Sequence, residues 1–227
     1  MKKLALFLAI MSSLSLYGQE RKFEKPDYKD IDKKIRDEKS DFFYEKLFLK
    51  YNLADTSMSL DEKRALYYGF IFQPEYSPYG FSSFDDSIRD IAGKEEFSEY
   101  DYRQILRFSD SLLAENPFDL RALNYKMFCY EKLNDAYDFN SCLSKMRMIV
   151  EAIMSSGNGR TKQDAFYVIF VSHEYDLINI LGLKFGGGQS LIDHYDYLRL
   201  AENDAGLEGL YFDISPSLDH LGKMFGK

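Results

Sequence analysis

Histidine and carboxylate side chains cluster at the C-terminal end of this sequence, where they offer raw material for acid–base or metal chemistry. His173, His194 and His220 all lie in the last 55 residues, beside Glu174 and Asp176, Asp193 and Asp196, and Asp219 respectively. An imidazole next to a carboxylate can exchange protons near neutral pH or ligate a metal. No HExxH or His-x-His spacing occurs, so nothing local assembles these groups into a metal site. Ser172 precedes His173, but neighbours on an extended strand point to opposite faces, which speaks against a nucleophile–base pair. Two readings of this stretch stand. His173 and Glu174 follow an apolar strand-like run, and crevices at strand carboxyl ends bind ligands. Alternatively, Ser172 caps a helix, with Glu174 and Asp176 at its positive end and the histidines on the surface. Gly186–Gly188 follow Lys184 but lack the GxxxxGK[ST] order and read as a turn. Glu202, Asp204, Asp213 and Asp219 match no calcium-loop spacing.

A second candidate is aromatic. Residues 66–80 carry Tyr67, Tyr68, Gln73, Glu75, Tyr76 and Tyr79 on a backbone stiffened by Pro74 and Pro78. Rigid tyrosines make good binding surfaces, because little entropy is lost when they dock. The same rings are equally suited to plugging a helical layer. Cys129 and Cys142 lie five residues before and eight after Asn134, nearly balanced about a turn. They are a possible disulfide or two buried thiols.

These residues must be positioned mostly by helices. Ile31 and Ile35 are one turn apart after Pro26, and Phe43, Leu47, Phe48 and Tyr51 recur at helical spacing behind Ser40 or Asp41. Ser59 and Glu62 form a capping-box pattern ahead of Ala65, Leu66 and Phe70. QPEYSPYGFSS reads as an ordered loop. Helices are expected at 99–115, 119–133 and 136–154, the last two joined at Asn134–Asp135 as an antiparallel hairpin. After the glycine-bearing breaker at 155–162 the pattern changes. AFYVIFVS (165–172) reads as a strand, HEYDLINILGL as a helix, and GGGQSLI, HYDYLRLAE and LEGLYFDI as strands. Ser215 and Pro216 open a terminal helix. The expected fold class is α+β: an N-terminal helical layer, residues 19–157, followed by a small mixed α/β sheet domain, residues 158–227.

Composition narrows the function classes. The chain has 227 residues, 45% hydrophobic, with 29 Lys and Arg against 37 Asp and Glu, a net charge of -8. An acidic surface without a basic cluster disfavours nucleic acid and anionic lipid. At the N-terminus, Lys2 and Lys3 precede an unbroken apolar run, Leu4–Met11, and small residues to Gly18. That is the pattern of a secretory signal peptide, residues 1–18, cleaved near Gly18. The run is shorter than the roughly 20 residues that span a bilayer, so no membrane insertion is expected.

Two resemblances extend the reading. LRALNYKMFCYEKLND (120–135) resembles the first helix and turn of a tetratricopeptide repeat, with Leu123 and Tyr130 at that motif's large positions and Pro117 in register upstream. Lys126 and Met127 depart from it. KFEKPDY (22–28), LYYGFIFQPEYSPYG (66–80), SHEYDL (172–177) and LYFDIS (210–215) together resemble an exported Bacteroidota family that is a domain of unknown function. That resemblance implies a periplasmic or secreted home and supplies no activity, cofactor or catalytic residue. The expectation is an exported, non-enzymatic interaction or binding module with a protein or peptide partner in the cell envelope and no cofactor. Its candidate binding residues are Tyr67, Tyr68, Gln73, Tyr76, Tyr79, His173 and Glu174. The alternative is an envelope hydrolase or metal-binding enzyme with its site near His173 and Glu174.

Overall fold

Ile31 and Ile35, spaced one turn apart, are buried on α1 (Tyr28–Arg36), which Asp27 caps by accepting from the backbone N–H groups of Lys29 and Asp30. The structure, a computed structural model, describes residues 22–80, 82–224 and 226, so the expected signal peptide lies outside the described residues. Next come α2 (Tyr44–Asn52) and α3 (Leu60–Gly69). Ser59 and Glu62 close the expected capping box: Ser59 Oγ accepts from the Glu62 N–H, and Glu62 Oε2 from the Ser59 N–H. Phe70–Phe72 form a 3₁₀ turn.

Sequence periodicity missed α4 (Ser83–Ala92), although Phe84, Ile88 and Ile91 lie on one face and Ser82 caps it. Three longer helices follow as expected: α5 (Glu99–Glu115), α6 (Leu120–Lys132) and α7 (Ala136–Met154). Asn134 makes the turn between α6 and α7 in a left-handed conformation, φ 59°. Cys129 of α6 and Cys142 of α7 are free and buried rather than bridged. They face different apolar clusters, Cys129 between α4, α5 and α6 and Cys142 in the main core. Burial pushes the two thiols up to about 12 and about 11.

The expected strand at 165–172 shrinks to β1 (Phe166–Tyr167), and α8 spans Ser172–Ile180. Ser172 is the first helical residue rather than the cap; Val171 holds the cap position with no side-chain bond. The sheet is completed by β2 (Phe185–Ile192), β3 (Tyr195–Leu200) and β4 (Gly209–Asp213), and α9 (Ser215–Met224) follows. Strand order is β1-β4-β3-β2, with β1 parallel to β4 and the other pairs antiparallel. The edge strand β2 is broken by a register shift between Phe185 and Gln189, which takes in the three glycines. Such a bulge blunts an edge against further pairing.

One main core collects Leu47, Leu66, Leu123 and Ile149 from the helices with Leu177, Leu198 and Phe212 from the sheet region. It therefore crosses residue 158, where the composition changes. α3 is its centre, packed against α1, α2 and α7.

Candidate functional site

Three of the four tyrosines of the 66–80 segment face inward rather than forming an outward face. Tyr67 and Tyr68 are 1% and 0% exposed, and Tyr76 is 6% exposed. Their hydroxyls are spent on the backbone of residues 166–170. Tyr67 Oη accepts from the Ile169 N–H (3.2 Å), and Tyr76 Oη donates to the Ile169 carbonyl (2.6 Å). The Tyr68 hydroxyl lies between the carbonyls of Ala152 (3.2 Å) and Tyr167 (3.3 Å). This is why β1 is short. The buried segment beyond Tyr167 has phenols where a neighbouring strand would otherwise supply hydrogen bonds, and an unpaired buried amide or carbonyl is costly. Burial drives the phenol pKa of all three upward, so they stay neutral.

The start of α8 sends three titratable residues in three directions. His173, expected at the surface, is wholly buried. Its Nδ1 accepts from Tyr67 Oη (2.7 Å) and its Nε2–H donates to the Phe118 carbonyl (2.9 Å), a pairing that requires the neutral ring. Desolvation pushes its pKa down to about 4. Glu174, also wholly buried, faces Asp196 of β3, and burial followed by that like charge pushes it up to about 9. Asp176 pairs with Arg121 of α6 at 3.5 Å, and its burial outweighs the arginine, raising it to about 7. Among the described residues His173 has no exposed surface through which a cleft could reach it. Gln73 lines a separate groove with Tyr44, Phe48 and Pro117, while Tyr79 is 45% exposed.

A cleft of about 510 Å³ opens elsewhere, at the carboxyl ends of the two parallel strands. Tyr167 ends β1 and Asp213 ends β4, and the first turns of α9 form the opposite wall. This is where ligands bind in sheets with parallel strands. Asp213 is 2% exposed and is the fixed point of the site. Its Oδ1 accepts from Ser215 N–H (3.0 Å) and Ser215 Oγ (2.5 Å), while its Oδ2 lies 3.3 Å from His194 Nε2. His194 occupies the two-residue turn between β2 and β3, where Asp193 adopts φ 62°. Its carbonyl accepts from the Ile214 N–H (3.1 Å), which anchors that turn to the end of β4. Around this pair stand Tyr28, Phe72, Tyr76 and Tyr167, with His220, Asp219, Lys25 and Lys223 also on the lining. His220 meets the Tyr76 ring edge-on at 5.4 Å between centroids. The Tyr28 hydroxyl is buried without a hydrogen-bond partner.

A family model described as a domain of unknown function, DUF4919, matches residues 29–223. The chain belongs to the DUF4919 family. No curated protein and no solved structure matches it. Within this DUF4919 chain, the matched span contains the tyrosine–His173 network, Asp213 and His194, whereas Lys25, Pro26 and Tyr28 of the cleft wall precede it. Of the seven candidate binding residues, only Tyr76 lines the cleft of the DUF4919 chain, where it joins His194 and His220 of the histidine set. His194 was visible as a histidine among acids, but Asp193 and Asp196 looked like its partners. The actual partner, Asp213, is recruited across strands by the Tyr195–Asp213 pairing. Serine, aspartate and histidine do meet here, yet not in the order that activates a nucleophile. Ser215 Oγ donates to Asp213 rather than to the imidazole.

Proposed function

We propose that this DUF4919 chain is an exported, non-enzymatic binding protein that takes a protein or peptide partner of the cell envelope into the cleft at the ends of β1 and β4. The observation that carries this reading is the cleft itself. It has the volume of a ligand site, aromatic walls, and a His194–Asp213 pair with lysines nearby to orient a polar group. A peptide side chain with one apolar face and one polar end matches that lining. Export rests on the basic and apolar pattern of residues 2–18, and the tetratricopeptide resemblance of 120–135 favours a protein partner over a free metabolite. The competing reading, a hydrolase or metal-binding enzyme built on His173 and Glu174 together, draws no support from a His173 locked between Tyr67 and Phe118. Crosslinking in native envelopes, followed by capture of the tagged chain, tests the proposal. The wild type is expected to recover a specific partner, and Phe72→Ala with His194→Ala to lose it. Recovery of nothing specific, or of the same partner by the double variant, would refute it.

A further inference from the structure

On the helical side of the molecule, Tyr44 of α2 has a polar group that the chain leaves unmatched. The residue is 7% exposed, and among the described residues its hydroxyl is buried without a hydrogen-bond partner. Such a group is costly to leave unmade. Tyr44 stands on the wall of a groove of about 440 Å³, the size of a small-molecule site. Phe48, one helical turn along α2, stacks on the Tyr44 ring at 6.1 Å between centroids, and Phe70 of the 3₁₀ turn also lines the groove. The charged lining has one sign only. Glu45 of α2 and Glu75 beyond the 3₁₀ turn contribute carboxylates, and no lysine, arginine or histidine belongs to the lining. The lysines of α2 are engaged elsewhere, Lys46 with the carbonyls of Glu38 and Ser40 and Lys50 with Glu62. Gln73, also on the lining, donates from Nε2 to the Gly69 carbonyl (3.4 Å), which leaves its own carbonyl oxygen as a further acceptor.

These groups select an occupant by charge and by hydrogen-bond type. Burial first, then the charges of Glu75 and Glu45, raise the Tyr44 phenol pKa, so the hydroxyl stays neutral in a negative field. That field repels an anion. A neutral apolar molecule would cover the two carboxylates without compensating them. A cation is drawn in by the carboxylates, and the faces of the aromatic rings add to the attraction. A primary ammonium brings three N–H donors and no acceptor, which matches the Tyr44 oxygen and the carboxylates of Glu45 and Glu75. We propose that this groove binds a primary alkylammonium group, carried by a small free amine whose apolar stem lies along Phe48 and Phe70. None of its lining belongs to the cleft at the ends of β1 and β4, so the amine site and the partner reading fail or succeed separately.

The test is isothermal titration calorimetry of the full chain at neutral pH and low salt, with n-hexylammonium chloride, 1-hexanol and sodium hexanoate as probes. Hexylammonium is expected to bind saturably, about tenfold or more tightly than the alcohol or the acid, since only the ammonium makes charge-assisted hydrogen bonds here. Glu45→Gln with Glu75→Gln changes two exposed residues and preserves the fold. It should weaken hexylammonium about tenfold and leave hexanol unchanged. Tyr44→Phe keeps the ring, removes the acceptor and should also weaken the ammonium. No hexylammonium binding at millimolar concentration would overturn the proposal, and so would equal binding of hexanol. Undiminished binding by the double glutamine variant would overturn it too, by assigning the amine to the general negative charge of the surface. A lysine side chain presented as N-acetyl-lysine N-methylamide is expected to bind less tightly than hexylammonium. Tighter binding of that amide would give the groove to a protein side chain and refute a free amine.

Discussion

Tyr67 shows how one hydroxyl can hold three parts of the chain in place. It accepts from Ile169 and donates to His173, which in turn donates to Phe118, so α3, the 168–171 segment, α8 and the turn before α6 are fastened in series. Tyr67→Phe leaves a buried N–H and a buried ring nitrogen without partners. A loss of about 2–4 kcal/mol in urea denaturation is expected, above the roughly 1 kcal/mol of a single ordinary hydrogen bond. A loss under 1 kcal/mol would mean the network relaxes at no cost. His173 adds a pH signature. Its pKa is about 4 when folded and about 6.5 when unfolded, so the unfolded chain takes up a proton first as pH falls. Its contribution is therefore intact above pH 6.5 and drains away between 6.5 and 4, by up to about 3 kcal/mol. Glu174 and Asp176, raised by burial to about 9 and about 7, act in the opposite sense and stabilise the fold as pH falls. The His173 contribution is therefore read as a difference: the wild-type midpoint relative to that of His173→Gln should fall from pH 6.5 to pH 4. Parallel profiles would show that other groups carry the acid sensitivity. In the sequence, the crowding of tyrosines at 66–80 was legible but their direction was not. A period of 3.6 fixes which residues share a face, and only the tertiary partner decides whether that face meets solvent or the backbone of residues 166–170.

At the level of elements, local chemistry was a dependable guide wherever it closed on itself. The Ser59–Glu62 box, the Asn134 turn and the opening of α9 at Ser215–Pro216 all rest on bonds or conformations within a few residues. β1 was overestimated because its apolar run is buried beyond the two residues that pair in the sheet, and hydrophobicity alone cannot separate a strand from a buried irregular segment. The cleft was illegible for the same reason at longer range. Asp213 and His194 are nineteen positions apart by their numbering and meet only because β3 and β4 pair. The connection from α7 to β1 is set by close approach. A Cβ on Gly157 would lie 2.3 Å from the carbonyl oxygens of both Asp164 and Ala165, groups of the backbone that cannot swing aside. Gly157→Ala is expected to cost about 3 kcal/mol or more in chemical denaturation, comparable to severe overpacking in a core. A neutral substitution there would show that the 157–165 loop moves freely.

For the molecule as a whole, the deciding feature is that one apolar core spans the helices and the sheet. Val150 and Ile153 of α7, Leu66 of α3, and Phe166, Leu210 and Phe212 of the sheet belong to the same cluster. The tyrosines that complete the backbone hydrogen bonds of residues 167–169 also come from the helical side. A fragment ending at residue 157 would leave the hydroxyls of Tyr67 and Tyr76, the ring of Phe70 and the carbonyl of Phe118 without their partners from 166–173. It would also lose the surface that covers one face of α3 and α7. Helical hydrogen bonds survive such a loss, whereas fixed side-chain packing does not. The fragment 22–157 is therefore expected to keep a helical far-UV spectrum while its tyrosine near-UV signal collapses, dye binding rises and melting broadens, the marks of a loosely packed state. The full chain should instead lose both spectral signals in one coincident transition. A fragment that melts sharply with native near-UV ellipticity would show that the helical layer is an independent folding unit, and that the shared core is a docking surface between two stable parts.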